Sequence, residues 1–451
     1  MNGLTRNLGE FVSSLDFKNI PATAVDTVKR GFVDCIGVMF AGRDEPVVEV
    51  LLSERLFSER NEARILFDRG ATTSPDAALI NAAAAHALDY DDVAIDGHPS
   101  VVLVPAVLAE GERLHSSGTE LIAAYVAGYE TWAELASRDA DKHHGKGWHP
   151  SAVFGAVAAA AAGARLARLD ATHCSHAIAA AASMSAGLTA NFGSMTKPLQ
   201  VARAAQSGLF AARLAAKGLT ASPDALEHRG GFLNAISPAG RTRVDGPLAA
   251  GRDWHIVKNG LCVKRYPVCY ALHRSIDGLL ALGAGEKIKP EKVKEIELSI
   301  GRFQVGMLRH SRPQTALDAK FSAEFAAAST VVAGRVGLAE LSDDFVRSAA
   351  VQALFPKVKV TATNEPDPDE PLFARSDAVR VTLADGTVLA GGPVRHALGH
   401  ARNPIGLDEL RDKFEDCVGV ALAPRRREAL FARLLELEAL PDTGVLYHNA
   451  A

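Results

Sequence analysis

The chain is short of aromatic residues, at 6% of its 451 positions, and nearly balanced in charge, with a formal net charge of −4. The first shortage argues against a core of interlocking aromatic side chains. Alanine carries much of the apolar content instead, and that composition favours closely approaching helices over β-sandwiches. The second gives no basic patch for a nucleic acid and no charge excess for an anionic membrane surface. Cysteine is also scarce. Cys35, Cys174, Cys262, Cys269 and Cys417 are scattered and form no CxxC pair. A disulfide or zinc framework is therefore not expected, and the thiols read as reduced and buried, as in the cytoplasm. The first twenty residues, MNGLTRNLGEFVSSLDFKNI, lack the charged-then-apolar profile of a secretory signal. The longest apolar run, Ala152 to Ala164, is too short and too rich in alanine to span a bilayer.

A chain of this length predicts two domains. To about residue 255 the apolar period is helical. The pattern predicts helices over Ala22–Phe40, from the Ser74-Pro75-Asp76 start signal onwards, and over Leu121–Ala136, Ala152–Ala167, His173–Leu188 and Pro198–Lys217, the last stopped by Gly218. After about Cys262 the pattern alternates, at Val293–Ile300, Lys357–Ala362 and Val379–Leu389. The last of these is a hairpin joined at Asp385-Gly386. Helical pieces such as Ala319–Val332 lie between them, and Thr363–Pro371 is a polar, proline-rich loop. From Leu407 the helical period returns. The expected fold is mostly α: a large helical domain from 1–260 with 405–451, and a smaller α+β domain from 261–404.

Three functional side chains stand directly before a proline that opens an apolar helix: His98 in GHPS, His149 in GWHPS and Lys197 in MTKP. Proline is favoured at the first helical position, where its missing N–H costs nothing. A helix N-terminus attracts carboxylates and keeps a nearby imidazole neutral. One such motif is most often an exposed cap. Three of them point to a site that receives a carboxylate and handles a proton beside it. HALDYDD (86–92) adds carboxylates. Asp89 and Asp92 share a face if the helix persists that far, and either can serve as a base or orient His98. In VKRYPVCYALH (263–273), Lys264 and Arg265 offer an anion clamp and His273 follows, although a plain basic linker fits equally well. His143-His144 with His149 lacks zinc spacing, so no metal is expected. His396 and His400 lie in a glycine- and proline-rich loop. Asp91, Asp92 and Asp96 leave open a magnesium-dependent prenyl-diphosphate enzyme, but no second acid motif follows.

Together HALDYDD with GHPS, GWHPS, NFGSMTKP, KRYPVCYALH, LDAKFS and the closing NPIGLDELRDKFEDC resemble the MmgE/PrpD family along nearly the whole chain. The resemblance implies a helical domain with an α+β lid and a homodimer that uses no cofactor and no metal. It also implies a lyase or epimerase of a small di- or tricarboxylate: 2-methylcitrate dehydratase, cis-aconitate decarboxylase and iminodisuccinate epimerase all belong to the family. It places catalytic roles on Asp89, His98, His149 and Lys197, and substrate binding on Lys264, beside Arg265, Asp92 and His273. Two positions depart from the decarboxylase pattern: Val93 stands where it has threonine, and Phe325 where it has tyrosine. Both changes delete a hydroxyl. A hydro-lyase is the expected activity.

Overall fold

The computed structural model describes residues 3–54, 60–67, 69–283, 288–369 and 373–446. The chain forms two compact units, Met1–Cys262 with Leu407–Ala451, and Val263–Gly406. Among the described residues the first unit is helical apart from the two-residue pair Ala63–Arg64 and Ala71–Thr72. Its centre is made of helices Ser74–Ala87, Pro99–Leu114, Gly118–Ser137, Pro150–Leu166 and Thr196–Ala215. Their enclosed faces are dominated by alanine, and two glycines show why small residues are needed. A Cβ on Gly208 would stand 2.5 Å from both the Ala156 carbonyl oxygen and the Ala159 Cβ. A Cβ on Gly128 would stand 2.8 Å from the Ala158 carbonyl oxygen. The helices meet backbone to backbone at these small residues, while a few fully buried rings pack between them, Trp132 against Phe154 at 6.4 Å and Phe32 against Tyr125 at 5.9 Å between ring centres. Helix Leu407–Val418 packs back on helix Ala22–Ala41.

In the second unit four strands form one sheet in the order Val358–Thr363, Val293–Gly301, Ala378–Leu383, Val388–Ala390. The first pair is parallel and the other two are antiparallel. Ile296, Leu298, Val379 and Val381 of the sheet share a core with Leu272, Ile276, Leu279, Phe325 and Ala326. These come from the stretch around helix His273–Gly283 and from helix Ala323–Ala333.

Several expected bounds move. The helix expected to reach Leu188 ends at Ala182, because Leu188 pairs instead with Trp148 in a short bridge. Thr196–Ala215 ends before Lys217, and Gly218 takes a left-handed φ of 92° beyond it. The helix expected over Ala319–Val332 is two pieces, Ala316–Ala319 and Ala323–Ala333. Ser322 starts the second by accepting the Phe325 N–H at 3.1 Å, an N-cap inside the predicted span. The hairpin turn is wider than a two-residue loop. The Leu383 N–H donates to the Thr387 carbonyl at 2.8 Å, and Gly386 takes φ 89°. Residues 364–369 form a loop, while Glu370 and Pro371 lie outside the described residues.

Candidate active site

Helix Ser74–Ala87 delivers His86 at its last turn and then stops, with Leu88 as its C-cap. Asp89 takes a left-handed φ of 52°. Asp89 and Asp92 therefore do not share a helical face. The chain reverses, and Asp89, Asp91 and Asp92 point in different directions from a tight, buried turn. The turn finds its partners locally. The Val93 N–H donates to the Cys262 carbonyl at 2.9 Å and the Cys262 N–H returns the bond at 2.9 Å.

His98 is the N-cap of Pro99–Leu114 and His149 the N-cap of Pro150–Leu166, each followed by proline at the first helical position. Lys197 departs from this pattern. Its helix begins at Thr196, so Lys197 is the second helical residue and Pro198 the third. The serines of the two His-Pro-Ser motifs brace the site. The Ser151 hydroxyl accepts the His98 backbone N–H at 3.0 Å, and the Ser100 hydroxyl meets the Tyr125 hydroxyl at 2.8 Å.

These elements bring four of the expected residues together. The carboxylate that orients His98 is that of Asp91, not Asp89 or Asp92: the His98 Nδ1–H donates to Asp91 Oδ2 at 2.7 Å and is shared with the Asp92 backbone carbonyl at 3.1 Å. His86 donates its own Nδ1–H to Asp91 Oδ1 at 2.9 Å. Burial alone would raise the Asp91 carboxyl. The two imidazoles overcome this and hold it well below the usual carboxylate range. Burial pushes His86 down to about 4, against the pull of Asp91, so that ring is neutral. With its proton on Nδ1, His98 has its Nε2 lone pair free to accept a proton, and Nε2 stands 3.8 Å from Asp89 Oδ1. Lys197 Nζ donates to that same oxygen at 2.7 Å and lies 5.4 Å from the Phe192 ring centre. His149 is 1% exposed. Burial first, and the Lys197 charge second, hold it well below the ordinary histidine range. Its Nδ1 faces the Gln200 amide nitrogen at 2.7 Å.

Asp92 sits behind this group. Its Oδ1 accepts the Ser100 N–H at 3.3 Å, and burial, then the nearby Asp34 carboxylate, push it well above the usual range. The turn is also tied from the far end of the chain. Lys413 Nζ donates to the Tyr90 carbonyl at 2.8 Å, lies 4.0 Å from the Tyr90 ring centre and pairs with Asp34 at 2.5 Å.

Lys264, Arg265 and His273 belong to the second unit. Lys264 is buried, and Arg265 is half-buried near Asp277. His273 is fully enclosed between the Tyr266 and Tyr270 rings, with Nε2 donating to the Val268 carbonyl at 3.3 Å.

Sequence reasoning missed His86, Asp91 as the histidine holder, Gln200 and Lys413. Two signals were available. His86 and Asp91 lie inside HALDYDD, and Gln200 follows Lys197 by three residues, which puts both on one helix face. His86, Asp89, Asp91 and His98 place ligand atoms within 4.8 Å of one another, a set that could hold a metal ion. An ion there would have to displace two imidazole N–H bonds from Asp91 and the Lys197 ammonium from Asp89. The site's cation is already a lysine. Among the described residues no helix is long and apolar enough to cross a membrane.

A carboxylate-backed imidazole, a second buried imidazole and a paired lysine lie together at helix ends, an arrangement with the groups that proton transfer requires. Family models for the MmgE/PrpD N-terminal domain and the MmgE/PrpD C-terminal domain match residues 6–244 and 266–437. The chain belongs to the MmgE/PrpD family. It is 27% identical to the cis-aconitate decarboxylase of Mus musculus, over 99% of this chain and 93% of that protein. The Homo sapiens cis-aconitate decarboxylase is 26% identical over 99% of this chain and 94% of its own. The 2-methylcitrate dehydratase of Cupriavidus necator is 30% identical over 26% of each chain.

Proposed function

We propose that the protein is a cofactor-independent lyase that moves a proton at the carbon next to a carboxylate of a di- or tricarboxylate, acting as a hydro-lyase. The supporting observation is the Asp91–His98 pair with Lys197 and Asp89 beside it. A carbon acid of this kind is weak. Its proton leaves only when a base stands in reach and a fixed cation stabilises the enolate-like charge. His98 Nε2 takes the proton, Asp91 stabilises the resulting imidazolium, and Lys197 turns from Asp89 to the substrate carboxylate. In a hydro-lyase the C–H electron pair becomes the double bond, and the hydroxyl of the neighbouring carbon leaves as water with the proton that His98 has taken up. We extend the family's homodimeric habit to this chain as part of the same reading, which a light-scattering mass would test.

A second reading, decarboxylation, is favoured by the full-length relatives named as cis-aconitate decarboxylases. Two residues oppose it. Val93 has no hydroxyl beside the carboxylate turn, and Phe325 is fully buried and apolar in the core of the second unit. The test is proton NMR of the enzyme in D₂O with 2-methylcitrate, citrate, cis-aconitate and iminodisuccinate. An alkene formed from a hydroxy acid supports the hydro-lyase. Loss of CO₂ from cis-aconitate replaces it with the decarboxylase. Inversion with deuterium uptake and no new product replaces it with an epimerase. Spectra unchanged for every compound refute the substrate class.

A further inference from the structure

We propose that Gln200 is a positioning residue that fixes His149 as a neutral imidazole carrying its proton on Nε2, so that His149 serves the site as a hydrogen-bond donor and not as a base. The proposal rests on the reading of the site as a proton-transfer centre.

The geometry leaves no freedom in the assignment. Gln200 is 8% exposed and lies one turn after Lys197 on helix Thr196–Ala215. Its Oε1 stands 3.0 Å from the Leu188 backbone nitrogen, and its Nε2 stands 3.2 Å from the Leu188 carbonyl oxygen. A backbone N–H can only donate and a carbonyl can only accept, so Leu188 fixes which end of the amide is oxygen and which is nitrogen. Flipping the amide would break both bonds and set oxygen against oxygen. The amide nitrogen must therefore point at His149, 2.7 Å from Nδ1. An NH₂ group donates and cannot accept. Nδ1 must present a lone pair, and the one proton of a neutral ring then sits on Nε2. A protonated ring would set N–H against N–H at the same contact.

Leu188 is itself held against the histidine. The His149 N–H donates to the Gly187 carbonyl at 2.9 Å, and Trp148 pairs with Leu188. Gly187 lets the two segments come this close, since a Cβ there would lie 2.5 Å from the Ala152 Cβ and 3.2 Å from Gln200 Cδ. The backbone that sets the amide is thus tied to the ring the amide controls.

The two His-Pro motifs therefore hold opposite tautomers. His98 donates its Nδ1–H to Asp91 and keeps a lone pair on Nε2. His149 accepts the Gln200 amide N–H at the Nδ1 lone pair and carries its one N–H at Nε2. One ring accepts the substrate proton. The other holds an oxygen of the substrate by a hydrogen bond that strengthens as enolate charge develops, without giving its own proton away.

The test is nitrogen-15 NMR of the full chain with labelled histidine, where two-bond couplings report which ring nitrogen carries the proton. His149, assigned by its loss in His149→Gln, should show Nε2–H in the wild type across pH 6 to 8, a range set by the ordinary histidine titration near about 6.5. In Gln200→Glu the carboxylate accepts, so the His149 signal should move to Nδ1–H or to the doubly protonated form. Gln200→Leu should give a mixture. On whichever substrate turns over, both variants should lower kcat by roughly tenfold or more with a smaller change in KM. Gln200→Glu should add an ionisation to the pH profile, which a merely structural role would not do. A wild-type signal with Nδ1–H, or one unmoved in Gln200→Glu, overturns the proposal, and the wild-type spectrum decides even if a variant fails to fold. An Nε2–H signal without turnover of any carboxylate sustains the tautomer lock and removes only the functional reading above.

Discussion

Lys413→Met is expected to destabilise the first unit severely without touching the histidines. The Lys413 and Asp34 side chains are 1% and 0% exposed, and the ion pair between them is 2.5 Å long. Removing one partner of such a buried pair leaves the other charge without its counter-ion, at a cost of about 3–5 kcal/mol. The substitution also frees the Tyr90 carbonyl, which accepts from Lys413 at 2.8 Å, and an unsatisfied buried acceptor costs roughly 1–3 kcal/mol. The two losses share one ammonium and do not simply add, so about 4 kcal/mol is the expected total. For a unit this large each kcal/mol lowers the melting point by about 2 °C, giving a drop of roughly 8 °C. Calorimetry or urea unfolding reads it. The companion variant is Asp34→Leu with Lys413→Met, which replaces the pair by apolar groups and should recover most of the loss. A single variant within about 1 kcal/mol of the wild type, or a double variant no better than the single, would refute the buried-pair reasoning.

Asp91→Asn should cut kcat by about 10³–10⁴ with little change in melting, because an amide cannot accept from both His86 and His98 and one ring must switch tautomer; unimpaired turnover would move the base elsewhere. Lys197→Ala should weaken polycarboxylate binding by roughly 10–100-fold, the worth of one charged hydrogen bond; calorimetric titration with unchanged affinity and unchanged melting would count against the clamp. His86, held down at about 4, makes the unfolded chain the better proton binder between about pH 6.5 and 4. Stability should therefore fall with falling pH across that window, by roughly 3 kcal/mol for this ring, and a flat melting curve would contradict its burial as a neutral base. Asp377 in the second unit works in the opposite sense. Burial pushes its enclosed carboxyl up to about 7, against the opposing pull of Arg274 and the Gly301 backbone, so its contribution is lost as pH rises from about 4 to 7. Asp377→Asn should accordingly stabilise that unit at pH 8 by on the order of 3 kcal/mol, read by denaturant unfolding, with no gain at pH 4.

Local signals carried the helices and strands because each rests on residues close in sequence. The Ser74-Pro75-Asp76 start, the alternation at Val293–Ile300 and the His-Pro caps all survive in three dimensions. The misplaced boundaries have distant causes. The helix expected to run to Leu188 ends at Ala182 because Leu188 is needed beside His149, and no nearby residue announces that. The site divides the same way. His98, His149 and Lys197 were legible as helix-end groups. Which aspartate holds His98 was not, since it depends on the left-handed turn at Asp89 that breaks the helical spacing. Gln200 and Lys413 act through contacts 51 and 323 positions away, and no periodicity encodes such distances.

The Lys413 contact also sets the order of events during synthesis. The turn bearing Asp89, Asp91 and Asp92 leaves the ribosome early, yet the ammonium that closes on its backbone is 323 residues behind it. By the time Lys413 is made, every residue of the second unit has already been translated. The nascent first unit must wait with the Asp34 carboxylate still lacking this counter-charge. The backbone of the turn is thus closed by its ammonium only once residue 413 has been added.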